Sequence, residues 1–344
     1  MKSINIYICL LMILIIGCRN SKDENTEKYQ RTRDDIFNIE DKIVDIKTDL
    51  IYGTSALYIM DDILIIEEIK PILKGIHLFN KNTFEYLTST GIIGRGPGEI
   101  ALLGRLGIDQ KNGVIWVQDH GKRVMWKFPL DSILNNEMYL PTQNIALHNE
   151  LFLERFCFVN DSIAIGKAVH VLSNSSFDMA MAKLNITRNV TEEYGYSHPL
   201  AVGKKSNSQF NLSLKDSIYV NCYGDFDLMT ICDLEGNLKY NVYGPGWIGN
   251  AEDNNSFFSG VSFINNHIIA SYLGDIAFTI DENKRLQGNL STKFLIFDVD
   301  GNYVKTIETG HKIQSFCIDE EYNRVIVYFV DRENPLGYFT FNLN

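Results

Sequence analysis

No dense run of Lys and Arg occurs anywhere in this 344-residue chain, and 43 acidic residues outnumber 32 basic ones. Nucleic-acid binding draws most of its affinity from neutralising phosphates, so a nucleic-acid partner is excluded. The seven histidines (77, 120, 148, 170, 198, 267 and 311) show no His-x-His or His-Glu-x-x-His spacing, so no local metal site is expected. A Gly-x-Ser-x-Gly elbow is missing, which leaves a serine hydrolase without local support. Neither a dinucleotide fingerprint nor a P-loop is present, and no cofactor is expected. Proline is scarce, at seven residues, beside 20 Phe and 17 Tyr. That balance favours strands, and an apolar fraction of 45% excludes wholesale disorder.

What is present starts with an address. Lys2 precedes an apolar run from Ile4 to Ile16, broken by Asn5 and Cys9. The run is short for a membrane span and suits a signal-peptide core. Leu14-Ile15-Ile16-Gly17-Cys18 resembles a bacterial lipobox, in which the cysteine is diacylated and becomes the new N-terminus. Residues 1–17 are therefore expected to be a lipoprotein signal peptide and 18–35 an acylated polar tether, with the lipid on Cys18 holding the protein to a membrane. Lys22-Asp23-Glu24 resembles the export signal that carries Bacteroidota lipoproteins to the outer face of the outer membrane. The periplasmic leaflet is the alternative.

From Leu57 onward one unit recurs. An apolar run meets a short polar turn, a second apolar run follows, and a third ends near Asp or Asn before a joint bearing Gly or Pro. The first turns are Asp61-Asp62, Asn112-Gly113, Asn160-Asp161, Asp216-Ser217, Asn265-Asn266 and Tyr322-Asn323, a period of roughly 50 residues. Asn, Asp and Gly suit these turns because they tolerate positive φ. Four antiparallel strands repeated six times predict an all-β, six-bladed β-propeller over 36–344, an architecture that protects sheet edges by radial repetition. The last unit reaches only its third strand. Its outer strand is expected from Ile36–Ile39 or Ile43–Ile46, closing the ring.

The lipobox, the six units and the joint Gly94-Arg95-Gly96-Pro97-Gly98-Glu99 together resemble the six-bladed, TolB-like propeller lipoproteins of Bacteroidota. The resemblance spans nearly the whole mature chain, though its sharpest motif is residues 94–99. It implies the fold and an envelope location and little about chemistry.

Gly94–Glu99 could pass for a phosphate loop, but Pro97 removes a backbone donor and Glu99 would repel phosphate. A blade-to-blade joint is the better reading, echoed at Gly244-Pro245-Gly246-Trp247. Such joints share a face with the loops between second and third strands, the longest being about 273–292, and loops on a rigid scaffold concentrate binding residues. Arg95, Glu99, Arg105, Glu154, Arg155, Gln209, Trp247, Asp253 and His311 are thus candidates for the channel mouth. Cys222 and Cys232 lie in one hairpin, where either a disulfide or two buried thiols would fit. Two functions stand open. One is a membrane-anchored binding or scaffold module for a glycan, peptide or protein. The other is a propeller enzyme, a glycan hydrolase or lyase or a metal-dependent lactonase, with its site at the central channel.

Overall fold

The computed structural model describes residues 26–48, 53–148, 150–173, 175–250, 254–280 and 282–343. The signal segment, Cys18, Lys22–Glu24 and Asp253 lie outside them. The described residues form six four-stranded antiparallel blades in chain order around a channel. The innermost strands are Ser55–Met60, Leu103–Asp109, Leu151–Phe158, Ser208–Ser213, Asn255–Ile264 and Ile313–Asp319.

Each blade is covered on both faces, and this explains the unbroken apolar runs. Val114–Asp119, Ile218–Tyr223 and Arg324–Phe329 are buried at every residue. Each junction of consecutive blades holds an apolar cluster, including the junction of the sixth with the first through Leu64, Ile66, Ile326 and Tyr328. The hairpins from first to second strand turn on Asp61, Gly113, Ser217, Asn265, Asn266 and Asn323, whose φ lies between 48° and 61°. Blade 3 is the exception. There the Asn160 side chain accepts from the backbone N–H groups of Ser162 and Ile163, at 3.0 Å each, and closes the turn.

Ring closure uses one of the two expected segments. Val44–Asp45 pairs antiparallel with Leu336–Thr340 and completes blade 6. The other segment, Ile36–Asn38, lies parallel to Tyr303–Glu308 as a fifth strand of blade 5. Glu27–Tyr29 does the same on blade 4 against Leu238–Tyr243. The folded ring therefore reaches back to Thr26, ten residues before the expected boundary at 36. The polar composition of 26–35 hides this docking because it rests on backbone pairing and on polar contacts such as that of Arg33 with Asp227, not on an apolar stripe.

Two insertions decorate the ring. A helix, Leu130–Asn135, joins the third and fourth strands of blade 2 and buries Ile133 against blade 1. In blade 5 the long loop carries a two-stranded hairpin, Phe278–Ile280 paired with Leu286–Gly288. Among the described residues no helix is long and apolar enough to cross a membrane.

Candidate functional site

All six innermost strands contribute to one cavity of about 400 Å³ in the channel. Ile69 and Leu290, from loops after second strands, help to bound it, so it opens on the face where those loops and the interblade joints gather.

Irregular pairing aims the polar wall. The register between first and second strands slips at Leu103/Leu106 in blade 2, Leu153/Arg155 in blade 3, Phe258/Gly260 in blade 5 and Ile313/Ser315 in blade 6. Each slip leaves residues unpaired, and a bulge re-aims the side chains around it. Arg105, Ser259 and Gln314 are such residues, and all three line the cavity. In blade 3 the unpaired residue is Glu154, which brings Arg155 to the wall. Gly166, on the neighbouring strand, makes this bulge possible. A Cβ there would lie 1.9 Å from the Arg155 carbonyl oxygen.

The charged groups form a chain across blades 1 to 4. Tyr58 donates to Glu67 Oε2 at 2.7 Å. Arg105 Nη1 stands 3.8 Å from Glu67 Oε1, and its Nε 4.0 Å from Glu154 Oε1. Glu154 Oε2 is 3.3 Å from Arg155 Nε. Arg155 donates in turn to Gln209 Oε1. Glu67 is 3% exposed, and burial raises its carboxyl above the usual range against the pull of Arg105. Burial also lifts the Tyr58 hydroxyl well above its ordinary value, with Glu67 adding to the effect, so Tyr58 stays a donor. Behind Arg155, with its Cα directly across the strand pair, lies buried Lys167. Desolvation lowers its amine to about 8 despite Glu154 and Asp178 nearby. Cys157 also lines the cavity, donating to Asn211 Oδ1 at 3.6 Å. Burial pushes this thiol up to about 12, which makes it a poor nucleophile.

Of the residues expected at the channel mouth, Arg105, Arg155 and Gln209 line the cavity and Glu154 stands within ion-pair range of both arginines. Others are placed elsewhere. Glu99 folds back into its own joint, accepting from Gly96 N–H at 2.6 Å, while Lys122 Nζ caps the Gly96 and Glu99 carbonyls at 2.6 Å each. Arg95 is exposed on that joint. Trp247 packs on His198, Tyr243 and Phe226 beside blade 4. His311 sits against Phe329, with Asp331 at 3.8 Å. Sequence reasoning missed Tyr58, Glu67, Ser259 and Gln314. For Glu67 a signal existed, a carboxylate directly extending the buried run Ile63–Ile66. For the bulge residues there was none, because a register slip is a property of two strands.

Cys222 and Cys232 are both free. Cys222 packs into the junction of blades 4 and 5 and Cys232 into that of blades 3 and 4. They point from opposite faces of one sheet, so the disulfide is excluded. Among the described residues no three His, Cys, Asp or Glu side chains cluster as metal ligands.

The opposite face carries a second depression, of about 480 Å³, bounded by Asp61, Asp62, Asp319, Glu320 and Glu321 with Lys81 among them. Lys81 Nζ lies 2.7 Å from Glu321 Oε2 and 3.4 Å from Asp319 Oδ1.

No protein-family model matches the chain, and no curated protein matches it by sequence. Solved structures do match. A member of the DUF4221 family from Bacteroides vulgatus superposes with a TM-score of 0.61 at 11% identity, over 87% of this chain and 95% of that one. A Bacteroides fragilis protein described as exported gives a TM-score of 0.56 at 12% identity, over 91% and 98%. U3-55K gives 0.54 at 9% identity, over 87% and 98%. At such identities the likeness establishes the propeller fold and nothing finer.

Proposed function

We propose that this chain is a lipid-anchored envelope protein, diacylated at Cys18 and facing the cell exterior, whose propeller binds a small hydroxyl-rich ligand of sugar size. The observation that carries the binding reading is the cavity. It has the volume of a small-molecule site, and its lining residues include Phe156, Phe210 and Phe316 together with Gln209, Asn211, Gln314, Tyr58 and Ser259. Apolar rings set among a few fixed donors and acceptors suit a ligand with both C–H faces and hydroxyls. The location rests on the lipobox and Lys22-Asp23-Glu24, and one similar structure belongs to a protein described as exported.

Titration calorimetry of the full chain against mono- and disaccharides is the test, with Ser259→Trp as a variant that fills the cavity. Saturable binding abolished by Ser259→Trp is expected; binding that survives the filled cavity overturns the channel as the site. Cys18→Ala should abolish labelling by radioactive palmitate, and protease added to intact cells should digest the propeller. Full protection would return the protein to the periplasmic leaflet. The enzymatic reading has less to draw on, since no carboxylate and no histidine lines the cavity among the described residues. Turnover of an envelope polysaccharide by the full chain would reverse that ranking.

A further inference from the structure

The cavity wall carries charge of one sign. Its only charged lining residues among those described are Arg105 and Arg155. We infer that the ligand presents an oxyanion, a carboxylate or sulfate, to the gap served by these two guanidinium groups, which makes it an acidic sugar; the inference rests on the reading of the cavity as a sugar site.

Three features support it. First, the carboxylates that accompany the arginines are not among the residues that line the cavity. Arg105 reaches Glu67 and Glu154 only at 3.8 and 4.0 Å, beyond hydrogen-bond length. A guanidinium has five N–H donors, and an oxyanion is the partner that satisfies two of them at once. Second, Glu154 lies within ion-pair range of both guanidinium groups. One carboxylate between two cations orients both, so Glu154 is a positioning residue. Third, the placement is built into the fold. Both arginines flank register slips in adjacent innermost strands, and Gly166 is shaped to accept the bulge beside Arg155. The acidic depression on the opposite face disfavours an anion there.

The test uses the full chain and calorimetry with paired probes: glucuronate against glucose, galacturonate against galactose, and acetate and inorganic sulfate alone. A uronate is expected to bind at least about 30-fold more tightly than its neutral partner, in keeping with a charge-assisted contact. Arg105→Gln and Arg155→Gln should each remove most of that preference, with circular dichroism confirming the fold. Arg155→Lys, which keeps charge without the planar fork, should retain part of it and serves if the glutamine variants fail to fold. Neutral sugars binding as well as uronates would overturn the inference and leave the cavity as a sugar site. Acetate or sulfate binding as tightly as a uronate would reduce the ligand to a simple oxyanion and overturn the sugar reading. Binding by no member of the panel would overturn both.

Discussion

Arg33 Nη1 lies 2.9 Å from Asp227 Oδ1, with side chains 7% and 0% exposed. The pair joins two parts of the chain 194 residues apart, the segment wrapped outside blades 4 to 6 and the loop between the second and third strands of blade 4. Asp227 Oδ2 also accepts from Tyr272 Oη and from Gly246 N–H, at 2.9 Å each, and the guanidinium faces the Tyr272 ring at 4.9 Å. The aspartate is thus fully committed, and the N-terminal segment supplies the only cation that pairs with it among the described residues. Arg33→Ala should destabilise the protein by about 3–5 kcal/mol, because it strands a buried carboxylate. Pairing it with Asp227→Asn should recover part of the loss. Urea denaturation of the two variants measures both, and an Arg33→Ala cost within error of zero would show that the segment does not hold the ring.

The same chemistry explains the two glycine-rich joints. A Cβ on Gly94 would lie 2.1 Å from Glu99 Oε2, and one on Gly244 2.1 Å from Asp227 Oδ2. Each joint is a cradle for a carboxylate of the protein itself, an anion-binding turn satisfied from within. Gly94→Ala should therefore cost about 1–3 kcal/mol through overpacking. Much of that should vanish in a Glu99→Ala background, since the two residues compete for one space. A double-mutant cycle reads this coupling directly, and additive effects would refute the cradle.

His77 bears on acid stability. Its Nδ1 shares a 2.7 Å hydrogen bond with Ser89 Oγ, and burial, with Lys74 adding to it, lowers the imidazole from 6.5 to about 4. The unfolded chain then takes up a proton near pH 6.5 that the folded one refuses until about 4. Stability should fall as pH drops through that window. His77→Gln should flatten this limb in melting curves recorded between those values; an unchanged limb would assign acid sensitivity to another group.

Glu67 works in the opposite sense. Its carboxyl is raised by burial, so its contribution is fully present below the unfolded value of 4.5 and is lost as pH rises through the folded one. Glu67→Gln, which is neutral throughout, should gain on the wild type as pH rises from about 4 to about 8. Denaturation free energies of the two proteins at matched pH decide it. A constant difference would mean that Arg105 and Tyr58 keep Glu67 in its ordinary range.

Much of the architecture could be read from residue order because turn chemistry is local. Asp61, Gly113, Ser217, Asn265 and Asn323 announce their hairpins by tolerating positive φ, and runs such as Ile63–Ile66 announce strands covered on both faces. Half of the closure was readable too, since a blade lacking its outer strand must borrow one, and Val44–Asp45 is it. Arg105, Arg155 and Gln209 came to light as charged or amide side chains on strands that begin at the channel mouth. Arg95, Trp247 and His311 lie in the same kind of loop, yet Arg95 stays exposed on its joint and the other two pack outside the cavity.

Sequence by itself determined the strand repeat, the blade number and the joints, because each depends on side-chain periodicity and backbone preference within a few residues. Tertiary structure decided where polar groups end up. Whether Glu99 meets a ligand or its own glycines depends on the path of the joint. That Cys222 and Cys232 face different junctions depends on their register with Met229 and Tyr219. The arginine pair depends on slips between strands whose partners are set by the whole ring. Propensity acts within a turn, whereas the channel cavity is a meeting of six strands, and only closure of the ring brings them together.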